Sequence, residues 1–374
     1  MNPARRRWLA AWLGATGLAP ALAAGEPAEN DDIPRRGRRL RFPRDHGAHP
    51  GCRTEWWYLT GWLGTETQPV GGFQVTFFRS RTGLAQGHPS RFAARQLLFA
   101  HAAVTLLTPD GARHVHDQRI VRWTGDPAAP LAAAALDSAR VHIGPWHVAL
   151  KEDAAGARWT SHIPARDFRL ELELARTQPL LLQGDAGFSR KGPDEVQSSH
   201  YVTEPQLAVR GRIAVQGREQ PFAGGRAWMD HEWSEALLHP QAVGWDWIGI
   251  NLFDGGALTA FQLRRADGSA LWAGGSHRAA GGAVRAFEPA ELRFEAVRRW
   301  RSPATGVSWP VAWRVVTPAG RHEVRALADA QELDSRASTG TLYWEGLSEL
   351  VNEAGRRIGL GYLELTGYGG ALRL

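Results

Sequence analysis

A single cysteine, Cys52, excludes an internal disulfide. Lysine occurs only at Lys151 and Lys191, so positive charge rests almost wholly on arginine. No long run has helical period, and beyond the first two dozen residues no stretch approaches eighteen apolar residues. That excludes a transmembrane helix in the chain that follows. No P-loop, dinucleotide fingerprint or nucleic-acid motif occurs, because the Gly-Gly pairs lack strand–loop–helix context. The G-x-S-x-G elbow and the H-E-x-x-H zinc motif are also absent. No cofactor and no nucleic-acid partner is therefore called for.

What the chain does have is glycine (42), proline (22) and a 43% hydrophobic share, the profile of a folded protein of short strands and turns. "GGFQVTFF" sets Phe73, Val75 and Phe77 against Gln74 and Thr76. "FRLELEL" sets Phe168, Leu170, Leu172 and Leu174 against Arg169, Glu171 and Glu173. Period two with one wet face predicts antiparallel sheet or barrel wall. "WDWIGINLF", "ALTAFQLR", "VAWRVV" and "GYLELTGY" extend the pattern, with turn signals such as Asp254-Gly255-Gly256 between them. The fold class is all-β.

The N-terminus carries Arg5, Arg6 and Arg7, a modest apolar core and the small-residue exit Ala21-Leu22-Ala23. This reads as a secretory signal over residues 1–24 of twin-arginine type, which predicts a periplasmic or secreted protein. Its removal would take away three arginines and no acid, lowering the formal charge from +6 to +3. Residues 25–45, with Arg35, Arg36, Arg38, Arg39 and Arg41, read as a solvated arm. A boundary in "VQGREQPFAG" predicts two domains, 46–220 and 221–374.

Seventeen tryptophans must be buried or form the walls of a site. "RAWMDHEW" places Asp230, His231 and Glu232 between Trp228 and Trp233. On a strand, Trp228, Asp230 and Glu232 share one face, and Met229, His231 and Trp233 the other. Trp245 and Trp247 likewise share a face that Asp246 opposes. His231 and Trp233 are the expected cavity-facing pair. The bland reading is a buried polar network with Arg226 as partner. A metal held by Asp, His and Glu with His200 is a third reading, against which the spacing argues. Glu55 shares a face with Trp57, as a raised-pKa acid or as a salt bridge sealing a barrel end. Ser198, Ser199, His200 and Tyr201 lack the context of a serine nucleophile. Lys191 reads as a turn residue with a charge partner, and Tyr343 and Trp344 as core.

Six phrases in order, "EWWYLTG", "RKGPDEVQSSHYVT", "AWMDHEW", "GWDWIGINLFDG", "YWEG" and "GYLELTGY", resemble the secreted AttH/CrtC-type family related to carotenoid 1,2-hydratase. The resemblance spans about Gly51 to Tyr368 and implies two packed lipocalin-like β-barrels. The hydratase branch implies water addition to an isoprenoid double bond, with a His and a Trp two apart, here His231 and Trp233. It also implies a Tyr and an Asp on a later strand. The corresponding "ALTAFQLR" offers Phe261 and Gln262 and no acid.

Alkene hydration needs a carboxylic acid kept protonated by apolar surroundings, and aromatic faces for the cation. The candidate catalytic residues are His231, Asp230, Glu232 and Asp246. The candidate ligand contacts are Trp233, Trp245, Trp247, Trp228, Glu55, Trp57, His200, Tyr201 and Phe261. The expected partner is a hydrophobic isoprenoid or lipid, bound by a hydro-lyase, a hydrolase of lipid-like substrates or a non-catalytic carrier. An interface protein of a membrane export or transporter complex would instead expose an aromatic patch.

Overall fold

Period-two alternation becomes strand almost everywhere. A computed structural model of the chain describes residues 31–90 and 92–372; the export signal expected over 1–24 and the start of the arm lie outside them. Among the described residues the only helical pieces are single 3-10 turns, Arg44–His46 and Pro289–Glu291, and no helix is long and apolar enough to cross a membrane.

Two antiparallel sheets, of fourteen and ten strands, make up the chain from Asp32 onward, which is one compact unit. The first curls into a nearly closed barrel and the second into a half-barrel, in keeping with two lipocalin-like barrels. In the first, Gln96–Thr108, Pro69–Arg81, Thr54–Gly64, Gly225–Ser234 and Ser198–Val215 lie side by side. In the second, Ala257–Arg264, Gly244–Leu252, Arg357–Leu365 and Leu342–Asn352 do the same.

Solvent tells the two kinds of wall apart. Phe168–Ala175 alternates strictly, its Phe and Leu side chains buried and its outward Arg and Glu wet. Thr54–Gly64 and Pro69–Arg81 are buried on both faces. Their inner residues, among them Trp57, Leu59, Phe73, Val75 and Phe77, fill the first barrel. Their outer residues meet the half-barrel through Tyr58, Trp62, Trp228, Trp247, Phe261 and Tyr362. This seam is tight at Gly72, where a Cβ would come within 2.7 Å of the Tyr362 hydroxyl.

Two expectations change. The sheets part between Ser234 and Gly244, not at residue 220, because Gly225–Ser234 pairs with Thr54–Gly64 and Ser198–Val215 and so belongs to the first barrel. The arm, from residue 33, is not a solvated linker. Ile33, Leu40 and Phe42 pack on Cys52, Val202 and Trp233, and Arg38 pairs with the buried Asp45 at 2.9 Å. Apolar residues between the arginines plug the barrel end.

Candidate functional site

The strand Gly225–Ser234 keeps the parity of its sequence and divides the candidate residues between two faces. On the inner face, His231 Nε2–H donates to Glu55 Oε1 at 3.0 Å, and its ring stacks on Trp57. Glu55 also accepts from His49 Nδ1 at 2.8 Å and from Arg79 Nε at 2.7 Å. His49 in turn meets Asp45 at 3.2 Å and stacks on Trp233. Every member is buried. Burial opposes the charge on Glu55, but Arg79 and the two histidine donors hold its carboxyl well below the usual range. Burial pushes His231 down, so it is neutral. His49, Glu55 and His231 bring metal-type atoms within 4.8 Å of one another. Yet Arg79 and ring N–H donors occupy that carboxylate, so the grouping works as a hydrogen-bonded latch between arm and barrel. Arg226 is exposed and takes no part.

His231 and Trp233 therefore face away from the cavity, contrary to expectation. The reason is steric: the arm fills the inner face at this end. Glu55 and Trp57 go with them. His200 lies there too, its Nε2 accepting from the Arg35 N–H at 3.3 Å, and burial lowers its pKa to about 4. Asp246 points into the half-barrel, bound by Arg264 and Gln262 at 2.8 Å and by the Tyr368 hydroxyl at 2.9 Å. None of the four candidates His231, Trp233, His200 and Asp246 reaches a ligand space.

A cavity of about 330 Å³ lies on the other face, between the two sheets. Two cross-strand rows of the first sheet form one wall. One runs Tyr201–Glu232–Trp56–Phe78–Phe99–Ile120, the other Thr203–Asp230–Tyr58–Thr76–His101. The facing wall is the row Phe261–Trp247–Glu364–Glu345 of the second sheet, with Trp245 beside it. Of the residues expected from the sequence, Asp230, Glu232, Tyr201, Trp245, Trp247 and Phe261 meet here. Trp228 lies just behind them and donates to Asp230 Oδ1 at 2.9 Å. Trp247 can lie flat because residue 249 is glycine; a Cβ there would come within 2.2 Å of its ring.

Four carboxyls reach this cavity in different states. Asp230 accepts from Tyr201 (2.7 Å), Thr203 (2.6 Å) and Trp228, and both its oxygens are occupied. Burial outweighs these donors and raises its pKa to about 7. Glu232 is tied to Lys191 Nζ at 2.8 Å and to the Ser199 hydroxyl. Lys191 lies over the Phe261 and Tyr201 rings, at 4.1 and 4.6 Å. Glu345 accepts from the Tyr58 hydroxyl at 2.7 Å, and burial together with Glu364 raises its pKa well above the usual range. Glu364, directly across the ladder, accepts from the Trp245 indole, and burial raises its pKa to about 8. All four line the cavity, and Glu364 is half-buried where the other three are buried. Among the described residues no cation pairs with Asp230, Glu345 or Glu364.

A family model for AttH-like proteins matches residues 33–368. The chain belongs to the AttH-like family. A Nitrosomonas europaea protein assigned as an AttH is 44% identical, over 90% of this chain and 99% of its own, with a TM-score of 0.79. Kievitone hydratase of Nectria haematococca shares the fold at 13% identity and a TM-score of 0.65, over 90% of this chain and 97% of its own. The CghA structure with Sch210972 does so at 14% identity and 0.54, over 91% and 96%. No curated protein matches the sequence significantly.

Sequence reasoning missed Glu345, Glu364, Tyr58 and His101 in this AttH-like chain. A signal was present: "YWEG" and "GYLELTGY" each place a Glu two residues after a Tyr, on one face of an apolar strand. His101 joins Tyr343 Oη at 2.6 Å and Ser338 Oγ at 2.8 Å on the cavity rim, and burial drops its pKa to about 3.

Proposed function

We propose that this protein is a hydro-lyase adding water to an alkene of a hydrophobic, isoprenoid- or lipid-like substrate in the inter-sheet cavity. One observation carries the reading: a carboxyl held protonated at neutral pH, Glu364, opens onto a space walled by Trp245, Trp247 and Phe261. That is the pairing of acid and cation-stabilising rings which an unactivated alkene requires. Kievitone hydratase, which shares the fold, has a reaction of this class in its name.

Glu364 delivers its proton to the less substituted alkene carbon. The cation forms on the other carbon, against the faces of Trp247 and Phe261. Water adds there and returns a proton to Glu364, restoring the acid, so substrate plus water gives the alcohol. Glu345, held by Tyr58, stays protonated beside Glu364, since two adjacent carboxylates would repel. Trp247 Nε1–H donates to Tyr201 Oη at 3.0 Å, and Tyr201 to Asp230, which fixes the ring.

A hydrolase is less well supported. Ser338 and His101 are in contact, but the Ser338 and Thr339 amides, the ones nearest for an oxyanion, both bond the Ser335 carbonyl.

The test begins with extraction of ligand from protein purified after export, and its identification by mass spectrometry. Incubation in deuterated, ¹⁸O-labelled water should place one deuterium on carbon and one ¹⁸O in the product. A tightly bound ligand that gains neither label would make the protein a carrier, or export from the cell, if it fails, would remove the periplasmic setting.

A further inference from the structure

Four lysine or arginine side chains are buried among the described residues: Arg79, Arg264, Arg278 and Lys191. Of these, Lys191 lines the cavity between the sheets. Its backbone is held on both sides. Phe188–Arg190 pairs with Ser198–Val215, and the Lys191 N–H donates to the Gln197 carbonyl at 2.7 Å. The side chain lies over two aromatic rings and reaches Glu232. An ion pair buried against such walls is rarely more stable than apolar residues of the same volume. Its presence calls for a cause other than folding.

The choice of lysine indicates that cause. An arginine fork is saturated by one carboxylate, as Arg176 is by Glu204 through Nε and Nη2. An ammonium has three rotatable donors. Two are taken, by Glu232 Oε1 at 2.8 Å and by Ser189 Oγ at 3.2 Å. The third has no oxygen partner among the described residues. Glu232 is half satisfied in the same way. Lys191 and Ser199 both bind Oε1, and Oε2 has no hydrogen-bond partner among the described residues. A spare donor beside a spare acceptor is the complement of a hydroxyl group, which donates one hydrogen bond and accepts others. A carboxylate would be repelled by Glu232, and a hydrocarbon end would leave both groups unsatisfied.

The ladder sets the distance from this pair to the acid. Lys191 Nζ lies 4.1 Å from the Phe261 ring centre, Phe261 pairs with Trp247, and Trp247 pairs with Glu364. Two strand spacings come to roughly 10 Å, which is about eight bonds of a zigzag carbon chain. Because Glu232 balances Lys191, the pair adds no net charge against a cation forming at Trp247.

We propose that Lys191 and Glu232 bind the hydroxyl group of an amphiphilic ligand, an isoprenoid- or lipid-like alcohol whose reacting double bond lies about eight bonds from that hydroxyl. The proposal rests on the hydrophobic-ligand reading above and specifies the class of its substrate.

Titration calorimetry of the purified protein with farnesol, farnesyl methyl ether and farnesoic acid at neutral pH tests it. Farnesol should bind about tenfold or more tightly than the ether, and the ionised acid no more tightly than the ether. K191M/E232Q removes both charges together and so strands neither. In that variant, with its fold checked by melting temperature, farnesol should fall to the affinity of the ether. Equal affinity for farnesol and the ether in the wild-type protein would overturn the proposal without any variant, and so would tightest binding of the acid. A farnesol preference retained by folded K191M/E232Q would overturn it too. If none of the three binds, the hydrophobic-ligand reading fails and takes this proposal with it. A farnesol preference without incorporation of label from water would leave the hydroxyl site standing and remove the hydration.

Discussion

Asp230 and His231 are adjacent in sequence, yet they sit in opposite electrostatic worlds. On the inner face of Gly225–Ser234, each acid has a cation: Glu55 has Arg79 and Asp45 has Arg38. Burial alone would neutralise these carboxyls, but the paired cation and hydrogen-bond donors keep them charged. Around the cavity on the other side, Glu232 has Lys191, but Asp230 and, on the facing sheet, Glu345 and Glu364 have hydroxyl or indole donors and no cation among the described residues, and burial wins. The same residue types make a latch on one side and a proton reservoir on the other. Count of buried acids therefore does not locate function; the absence of a counter-charge, beside an open space, does.

The sharpest way to break this comparison is to remove the cation. R79M strands Glu55 as a buried unpaired charge, which costs about 3–5 kcal/mol. Chemical denaturation should show that loss, and a stable R79M would mean the inner cluster is not held by its charge pair. Across the cavity, E364Q should lower turnover by about 10²–10⁴-fold while ligand affinity, and the melting temperature taken at about pH 4, stay near wild type. Unchanged turnover in E364Q would move the acid elsewhere in the cavity. H231A tests the division between faces directly. It loses a buried hydrogen bond and a stacked ring, about 2–3 kcal/mol, but the folded protein should turn over normally. A kcat that collapses in H231A without loss of stability would return His231 to the site.

Strand parity was legible: "WMDHEW" and "WDW" divide as their alternation requires, and "FRLELEL" has the dry and wet faces that it spells. Which face carries the cavity was not legible, since that depends on the arm, whose Ile33, Leu40 and Phe42 are spaced among arginines and read as solvated. Parity fixes relative orientation within one strand, and the packing of a second sheet decides what each face meets. Glu364 and Glu345 escaped for a related reason. They lie on different strands, Glu364 as the lone acid of Arg357–Leu365, and only the ladder register brings them side by side. The boundary was misplaced because Gly-Pro turn signals at 215–224 mark a hairpin-like return within the first sheet as readily as a domain junction.

The smallest effect sharpens the comparison most, because the two faces should answer pH with opposite sign. Glu55 has a folded pKa below its unfolded value, so its contribution is present above about pH 4.5 and is lost as pH falls through the folded value. Asp230 and Glu364 have folded pKa values raised to about 7 and about 8. They bind protons more tightly folded than unfolded, so their contribution is fully present below about pH 4 and is lost as pH rises toward 7 or 8. Wild-type melting temperature should thus fall on both the acid and the alkaline side. E55Q should flatten the acid limb alone, and E364Q the limb between about pH 4.5 and 8, by about 2–5 °C. Turnover should share the alkaline limb and fall as Glu364 loses its proton near pH 8. If E55Q and E364Q altered the same limb, the two faces would not differ in charge state, and the argument that separates latch from site would fail with them.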